Sequence, residues 1–210
     1  MVINMVENNS NEDTKKEIKK NTKKASQDLF LEYMPYIIII FFVVIIRLFI
    51  ATPISVKGSS MKPTLQNGDT MILYKLTKHI RGIKRFDIVV IKTDSGDLIK
   101  RVIGLPGDKI RYEVKYVNEE KTGVLTVNGE VVEEKFLTTA KKIGTCETNW
   151  TICNEEITVP EGEYFVMGDN RDDSKDSRMI GTVPLKDIKG TTEIILFPFN
   201  RFGKVKKYSE

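Results

Sequence analysis

Residues 87–117 read DIVVIKTDSGDLIKRVIGLPGDKIRYEVKYV. Three short runs of apolar or alternating residues lie within this stretch, and turn-forming residues separate them: Asp87–Lys92, Leu98–Gly104 and Lys109–Val117. Runs of this length that are rich in Val, Ile and Tyr and end near Gly, Pro or Asp predict β-strands. The stretch therefore predicts a mainly β domain.

Further strands are predicted on both sides of this stretch. DTMILYKL at Asp69–Leu76 precedes it, and EYFVMGD at Glu163–Asp169 and TTEIILFPF at Thr191–Phe199 follow it. Between them, VLTVNGEVVEE contains Asn128-Gly129, a residue pair that favours a type I′ hairpin turn. No segment after residue 54 has a persuasive long helical period, so the predicted fold class is mainly β, preceded by one transmembrane helix.

The region from about residue 111 to residue 157 is predicted to be an inserted subdomain, because it is more polar and interrupts the segments with candidate chemistry. It contains Cys146 and Cys153, the only two cysteines. In an oxidising compartment this pair could close a small loop, and two unpaired thiols are the alternative. A metal site is not expected, since two cysteines and the remote His79 cannot supply four zinc ligands.

The apolar run from Met34 to Ile54 predicts a membrane anchor. As a helix these residues would be about 31 Å long, enough to cross a hydrocarbon core of about 30 Å. A cleaved secretory signal is the alternative, but the run exceeds an apolar region of about 7 to 15 residues and no small-x-small site follows it closely. An uncleaved anchor is therefore favoured.

The N-terminal tail, residues 1–33, carries clustered lysines. Lysine and arginine (33) only slightly outnumber aspartate and glutamate (29) in the whole chain, so the clustering indicates a membrane orientation signal more than a nucleic-acid site. A solvated, disordered charge run is compatible with this reading. The predicted organisation is a cytoplasmic tail, an anchor at 34–54 and an extracytoplasmic domain at 55–210, in a single-pass plasma-membrane protein. The clustered lysines are Lys15, Lys16, Lys19, Lys20, Lys23 and Lys24.

Candidate chemistry begins with GSSMKPTL at Gly58–Leu65, a tight segment that places Ser60 shortly after the anchor. A lone serine in such a segment is usually a turn residue, and a nucleophilic serine needs a base. The only histidine, His79, lies in the basic stretch KLTKHIRG with no partner motif, so a structural or solvent-exposed histidine is favoured there.

Lys100 is the alternative base. A lysine accepts a proton only when its pKa falls roughly two units or more below about 10.4, which burial among apolar groups can achieve. Ile99, Val102 and Ile103 surround it in sequence, and strand alternation would let it turn inward while Arg101 stays in water. A solvated edge lysine is the usual alternative.

GDNRDDSKDSR at Gly168–Arg178 is the third candidate segment. It could be an Asp-rich surface loop or a calcium loop, although the cations within it would compete for the carboxylates. It could also form a buried network that positions a lysine amine, with Asp169 or Asp176 paired to Arg171 or Arg178 and a serine hydroxyl orienting the amine.

These three segments in this order, behind an N-terminal anchor, resemble the bacterial type I signal peptidases, in their short Gram-positive form. The resemblance covers about residues 47–199. It implies a signal-peptidase-type antiparallel β fold, no metal or cofactor, and a serine endopeptidase that removes signal peptides from exported preproteins after Ala-x-Ala-like small residues. It also implies contact with membrane lipid and Sec-type export machinery, and no nucleic-acid partner.

By this resemblance Ser60 matches the nucleophile and Lys100 the general base. Ser174 matches a serine that hydrogen-bonds the lysine, and Asp176 and Arg178 match structural supports of the site, with Asp169 and Arg171 in the same segment. The oxyanion donor would be the backbone N–H of Ser60, because Gly58 stands where the larger Gram-negative enzymes have a serine. Asp173 stands where asparagine is more usual.

Two other classes of protein fit parts of the pattern. An extracytoplasmic assembly module would keep the fold without the activity, but it has no physical need for a buried neutral amine beside a serine. A membrane-bound self-cleaving regulator would need a cleavable segment that reaches its own site, and the sequence has no convincing one.

Overall fold

The computed structural model describes residues 29–117, 120–134, 136–137 and 155–205. The first 28 residues of the predicted tail lie outside this part of the chain, and so do Cys146 and Cys153, whose pairing remains a prediction. The backbone divides into two units between Leu48 and Phe49.

The N-terminal unit is helical. Helix α1 spans residues 29–45, and a π-helical turn at Ile46–Ile50 follows it. The apolar helical span is 22 residues long, Leu29–Ile50, which is sufficient to cross a membrane. This span begins earlier than the predicted 34–54. It also ends earlier, because residues 51–54 pair with a neighbouring strand.

The second unit is mainly β, as predicted. Within the described residues its two α-helices, α2 (Thr77–Ile80) and α3 (Ser177–Ile180), have four residues each. Its strands are β1 (Ala51–Ser55), β2 (Thr70–Tyr74), β3 (Ile88–Thr93), β4 (Gly96–Gly104), β5 (Lys109–Val117), β6 (Glu120–Val127), β7 (Glu130–Val131), β8 (Glu156–Thr158), β9 (Glu163–Met167), β10 (Val183–Pro184), β11 (Ile188–Phe197) and β12 (Gly203–Lys204).

These strands form two antiparallel sheets. The larger sheet has the order β1-β2-β11-β3-β4-β9-β10, with β12 added beside β11. The smaller sheet has the order β7-β6-β5-β8 and is built from the region predicted to be an insertion. Its hairpin turns at Asn128 and Gly129, both of which have the positive φ that a type I′ turn requires, 54° and 85°.

Strand β3 lies inside the larger sheet, and Ile88, Val89, Val90 and Ile91 are all buried. Val89 and Ile91 pack in one apolar cluster while Ile88 packs in another, so both faces of the strand are covered. Coverage on both faces explains why this strand reads as a continuous apolar run instead of an alternating one.

Strand β4 is paired unevenly along its length. Residues from Gly96 to Arg101 pair with β3, whereas β9 joins the opposite edge only from Arg101 onward. Within the part of the chain that the structure describes, the edge of residues 96–100 that faces away from β3 therefore has no strand partner. This open edge ends at Lys100.

Candidate functional site

Ser60 lies in the turn that follows β1, and apolar packing fixes this turn. Met61 follows the serine directly and Leu65 lies five residues after it, and both are buried in the core. The N–H of Leu65 donates to the carbonyl of Met61 over 2.8 Å. Gly58 has a φ of 91°, a conformation that other residues rarely adopt, and its N–H donates to Asn67 Oδ1 over 3.0 Å. The serine is thus held between an anchored glycine and two core residues.

Lys100 lies opposite Val89 in the β3–β4 pair, and its side chain is only 2% exposed. Its Nζ atom is 2.7 Å from Ser60 Oγ, within hydrogen-bonding distance. The two side chains are 40 residues apart in sequence, and the turn after β1 brings the serine to the strand that carries the lysine. The structure therefore brings together the two residues that the sequence singled out.

The surroundings of the Lys100 amine lower its pKa. Burial is the largest influence on it and lowers its pKa below the usual lysine value. The negative charge of Asp176 opposes this, Arg178 adds to the lowering, and Asp169 and Asp173 raise the pKa again. The balance is a lowered pKa, so the amine can accept a proton from a hydroxyl 2.7 Å away.

The Gly168–Arg178 segment passes directly beside Ser60. The N–H of Asn170 donates to the carbonyl of Ser60 over 2.9 Å. A Cβ atom at Gly168 would lie 2.5 Å from that same carbonyl oxygen and 2.2 Å from Ser174 Oγ. Glycine is therefore required at this position, because any side chain would collide with the backbone of Ser60.

Asp176 and Arg178 form a buried pair, each 0% exposed. Asp176 caps α3 by accepting from the Arg178 N–H, and it also accepts from Arg178 Nε over 2.9 Å. Its second oxygen accepts from the Gly168 N–H over 2.9 Å. Burial by itself raises the pKa of Asp176, but these hydrogen bonds and the charge of Arg178 bring it below its ordinary value.

Asp169 pairs with Arg101, a partner that the sequence analysis did not assign to it. Both Arg101 Nε and Arg101 Nη2 donate to this carboxylate, over 2.9 and 2.6 Å. The expectation that Arg101 stays in water is wrong, since it is only 1% exposed. Its face of β4 is covered by the insertion, and its guanidinium lies 4.2 Å from the ring centroid of Phe136.

Arg171 pairs with Glu134, which the sequence analysis missed entirely. Arg171 Nη1 donates to Glu134 Oε2 over 2.7 Å, and Nη2 donates to Oε1. Arg171 Nε also donates to the Gly168 carbonyl over 3.0 Å. The insertion thus supplies a carboxylate to the segment beside Ser60 and Lys100, which are called the dyad below, and no local sequence signal points to this ion pair.

Ser174 is buried beside the same glycine. Its hydroxyl forms no hydrogen bond of good geometry with Lys100 or with any other described residue. It lies near enough to Asp176 to favour the ionised carboxylate. The hydrogen bond to Lys100 that the resemblance implies is therefore not formed in this structure, although the position beside Gly168 agrees with a supporting role.

Asp173 contacts the residue before the candidate nucleophile, because the Ser59 hydroxyl donates to Asp173 Oδ2. The alternative sites are less favourable. His79 is exposed in α2. The carboxylates of Asp169 and Asp176, which a calcium loop would need, are committed to Arg101 and Arg178.

An open groove is lined by residues that come shortly before Ser60 and Lys100 in sequence: Ile54, Ser55, Lys57, Gly96, Asp97 and Ile99, together with Val90. The groove includes part of the open edge of β4. An extended peptide could therefore pair with this edge and reach the dyad.

The family described as "Signal peptidase, peptidase S26" matches residues 30–197. A Signal peptidase I of Bacillus licheniformis is 38% identical over 189 residues, 88% of this chain and 97% of that relative. Signal peptidase I S of Bacillus subtilis (strain 168) is 35% identical, over 88% of this chain and 98% of that relative. A crystal structure of a signal peptidase I from Enterococcus faecalis V583 matches 52% of this chain and 95% of that one, with 33% identity and a TM-score of 0.38.

The family match extends over most of the chain and includes all three candidate segments, and the curated relatives align over nearly their full lengths. The chain therefore belongs to the signal peptidase I family, the serine endopeptidases that remove signal peptides.

Proposed function

We propose that Ser60 is the nucleophile and Lys100 the general base of this signal peptidase, which cuts preproteins after small residues at the outer face of the membrane. The observation that carries the proposal is the 2.7 Å contact between Lys100 Nζ and Ser60 Oγ. A serine hydroxyl needs an adjacent base to become nucleophilic, and Lys100 is that base.

Lys100 is suited to this role by its surroundings. Its side chain is 2% exposed and, among the described residues, makes its side-chain hydrogen bond to Ser60 instead of to a carboxylate. The carboxylates of Asp169 and Asp176 are held by Arg101 and Arg178. In the described part of the chain no carboxylate forms an ion pair with the amine, and burial outweighs the more distant negative charges, so the pKa is lowered.

The reaction begins when Lys100 takes the proton of Ser60 as Oγ attacks the carbonyl carbon of the scissile bond. The tetrahedral intermediate collapses as the Lys100 ammonium gives the proton to the leaving amine, which leaves an ester on Ser60. Lys100 then takes a proton from water, which attacks the ester, and the proton returns to Ser60 Oγ as the signal peptide leaves.

The negative oxygen of the intermediate would face the backbone N–H of Ser60. This N–H has no hydrogen-bond partner among the described residues. Gly58 offers no hydroxyl, and the hydroxyl of Ser59 is directed to Asp173. The main oxyanion donor is therefore the Ser60 N–H.

The groove beside the dyad favours an extended substrate. A peptide paired with the open edge of β4 would turn every second side chain toward the groove wall. Ile54, Val90 and Ile99 make part of that wall apolar. The side chains at the first and third positions before the cut, the two small residues of the proposed Ala-x-Ala pattern, would face this wall together.

The apolar helical span Leu29–Ile50 and the clustered lysines before it support the proposed membrane placement. The lysine-rich tail, residues 1–33, would remain in the cytoplasm, and residues 55–210 would form the extracytoplasmic catalytic domain. The Leu29–Ile50 helix and the apolar part of a signal peptide would share one bilayer, which raises the local concentration of the cleavage site near Ser60. Preproteins from Sec-type export and membrane lipid are the proposed partners.

The test is cleavage of a preprotein with a small-x-small site by the purified full chain in detergent or lipid, followed by mass analysis of the new N-terminus. We expect a single cut after the small residue, and no cut with Ser60→Ala. Several intact preproteins after incubation with a folded wild-type chain would support an assembly module instead. Equal cutting by Ser60→Ala would overturn the assignment of the nucleophile.

A further inference from the structure

The turn at residues 170–173 holds the two residues Ser59 and Ser60 by their polar atoms. Asn170 N–H donates to the Ser60 carbonyl over 2.9 Å, and Asn170 Nδ2 donates to the Ser59 carbonyl over 3.3 Å. The third contact is the hydrogen bond from the Ser59 hydroxyl to the Asp173 carboxylate. This one turn therefore holds the carbonyls of Ser59 and Ser60 and the hydroxyl of Ser59.

The turn itself is closed by the Asp173 N–H, which donates to the Asn170 carbonyl over 3.2 Å. The Ser59 carbonyl also accepts from the Lys62 N–H over 3.0 Å. The two groups of Ser60 that the reaction needs, its N–H and its Oγ, are used by none of these contacts. The turn can thus orient the reacting residue without occupying its reacting atoms.

We propose that Asp173 is a positioning residue for the nucleophile, whose carboxylate holds the Ser59 hydroxyl and thereby fixes the direction of the Ser60 N–H toward the oxyanion. This inference rests on the proposed Ser60/Lys100 chemistry. It gives a role to the side chain of Ser59, one residue before the nucleophile, whose hydroxyl donates to Asp173.

Asp173 also acts on the dyad by its charge. The groups that influence Lys100 are burial, Asp176, Arg178, Asp169 and Asp173, and the negative charge of Asp173 raises the pKa of the amine. Because Asp173 is exposed, water screens this effect. The positioning effect and the charge effect can be separated by substitution, since asparagine keeps a side-chain oxygen acceptor and loses the charge.

The test uses four variants of the full chain in detergent: Ser59→Ala, Asp173→Ala, Asp173→Asn and the double variant Ser59→Ala/Asp173→Ala. We expect Ser59→Ala and Asp173→Ala each to lower kcat about five- to tenfold with KM within about twofold, because one solvent-exposed hydrogen bond is lost. The double variant should be no slower than the slower single variant, since the two residues act through one contact.

The pH profile supplies the readout that a purely structural role would not move. Asp173→Asn should keep kcat within about threefold of wild type and shift the acid limb of the profile to lower pH, because it removes a charge that favours protonated Lys100. Ser59→Ala should leave that limb in place. Asp172→Asn is the matched control, because it removes a neighbouring exposed carboxylate and should change neither kcat nor the limb by more than about twofold or a tenth of a pH unit.

Full activity of Ser59→Ala, additive losses in the double variant, or a kcat of Asp173→Asn as low as that of Asp173→Ala would each overturn the inference. Ser60→Ala is measured alongside. An inactive Ser60→Ala with unaffected Ser59→Ala would overturn this inference alone, whereas an active Ser60→Ala would overturn the proposed function itself.

Discussion

Glu134 and Arg171 form an ion pair in which the two side chains are only 6% and 1% exposed. Glu134 follows the β6–β7 hairpin of the insertion, and Arg171 lies in the segment beside Ser60. Arg171 also holds the Gly168 carbonyl, and Arg178 Nη2 donates to the Arg171 carbonyl over 2.8 Å. The insertion is thus linked to the dyad through two arginines and a glycine.

Glu134→Gln should destabilise the fold by about 3–5 kcal/mol, because the buried Arg171 guanidinium loses its counter-charge. Thermal unfolding of the full chain in detergent measures this. Glu130→Gln is the matched control, since Glu130 is exposed in the same hairpin, and it should change stability by less than about 0.5 kcal/mol. Equal stability of the two variants would mean that the ion pair contributes nothing.

Lys100→Met and Ser60→Ala should each lower kcat/KM at least about a thousandfold while the chain remains folded. Methionine fills a similar volume without an amine, so the loss would report the missing base and not a cavity. Cleavage kinetics and circular dichroism on the same samples provide the measurement. Normal cleavage by folded Lys100→Met would remove the lysine from the mechanism.

Activity should rise with pH through a limb that lies below the usual lysine pKa of about 10.4, because burial lowers the pKa of Lys100 and only the neutral amine is a base. A profile that is flat from mildly acidic to alkaline pH would contradict a lysine base.

The free energy of unfolding should also depend on the protonation of Lys100, and the direction of this dependence on pH can be stated. The unfolded chain protonates Lys100 first as pH falls from about 10.4, and the folded chain protonates it only at its lower pKa. Between these two pKa values the unfolded state binds more protons, so the free energy of unfolding should decrease as pH falls. Denaturant titrations of wild type and Lys100→Met across this window should diverge, and parallel curves would show that burial does not lower the pKa.

Gly168→Ala should lower both stability and kcat, because its Cβ would lie 2.2 Å from Ser174 Oγ and 2.5 Å from the Ser60 carbonyl. Gly162→Ala is the control, since nothing lies within 4 Å of a Cβ there and only its φ of 74° is unfavourable. We expect Gly162→Ala to lose stability but to keep kcat. A Gly168→Ala enzyme with normal kcat would show that the segment moves away freely.

Local patterns predicted much of this molecule. The β3, β4 and β5 strands and the Asn128-Gly129 turn follow from short stretches in which residue type decides the outcome, whereas the Ser60/Lys100 pairing was expected from the resemblance of three separate segments to the signal peptidases. The C-terminal end of the anchor was misplaced because residues 51–54 are apolar enough for a membrane helix, and only pairing with β2 makes them a strand.

The partners of Arg101 and Arg171 could not be predicted in the same way, whereas the Asp176–Arg178 pair was one of those expected. Arg101 reads as a surface residue until the insertion covers its side of β4 with Phe136. Glu134 lies 37 residues from Arg171, and nothing near either residue indicates the pair. Ion pairs across a tertiary interface depend on how two sheets meet, which no local period encodes.

Lys100 and the buried arginines Arg101, Arg171 and Arg178 form a layer of basic side chains near Ser60, and this layer bears on how such chains evolve. Arg101, Arg171 and Arg178 each have one carboxylate, whereas Lys100 has a hydroxyl. The charges of these arginines and their carboxylates cancel, so the buried layer is electrically neutral only while the Lys100 amine is uncharged. Lys100, the proposed base, is therefore the residue of this layer that stabilises the fold least. In a copy released from catalysis, drift toward an apolar residue at position 100 would be favoured by stability alone. The proposed chemistry of Lys100 therefore acts against the stability of the fold that carries it.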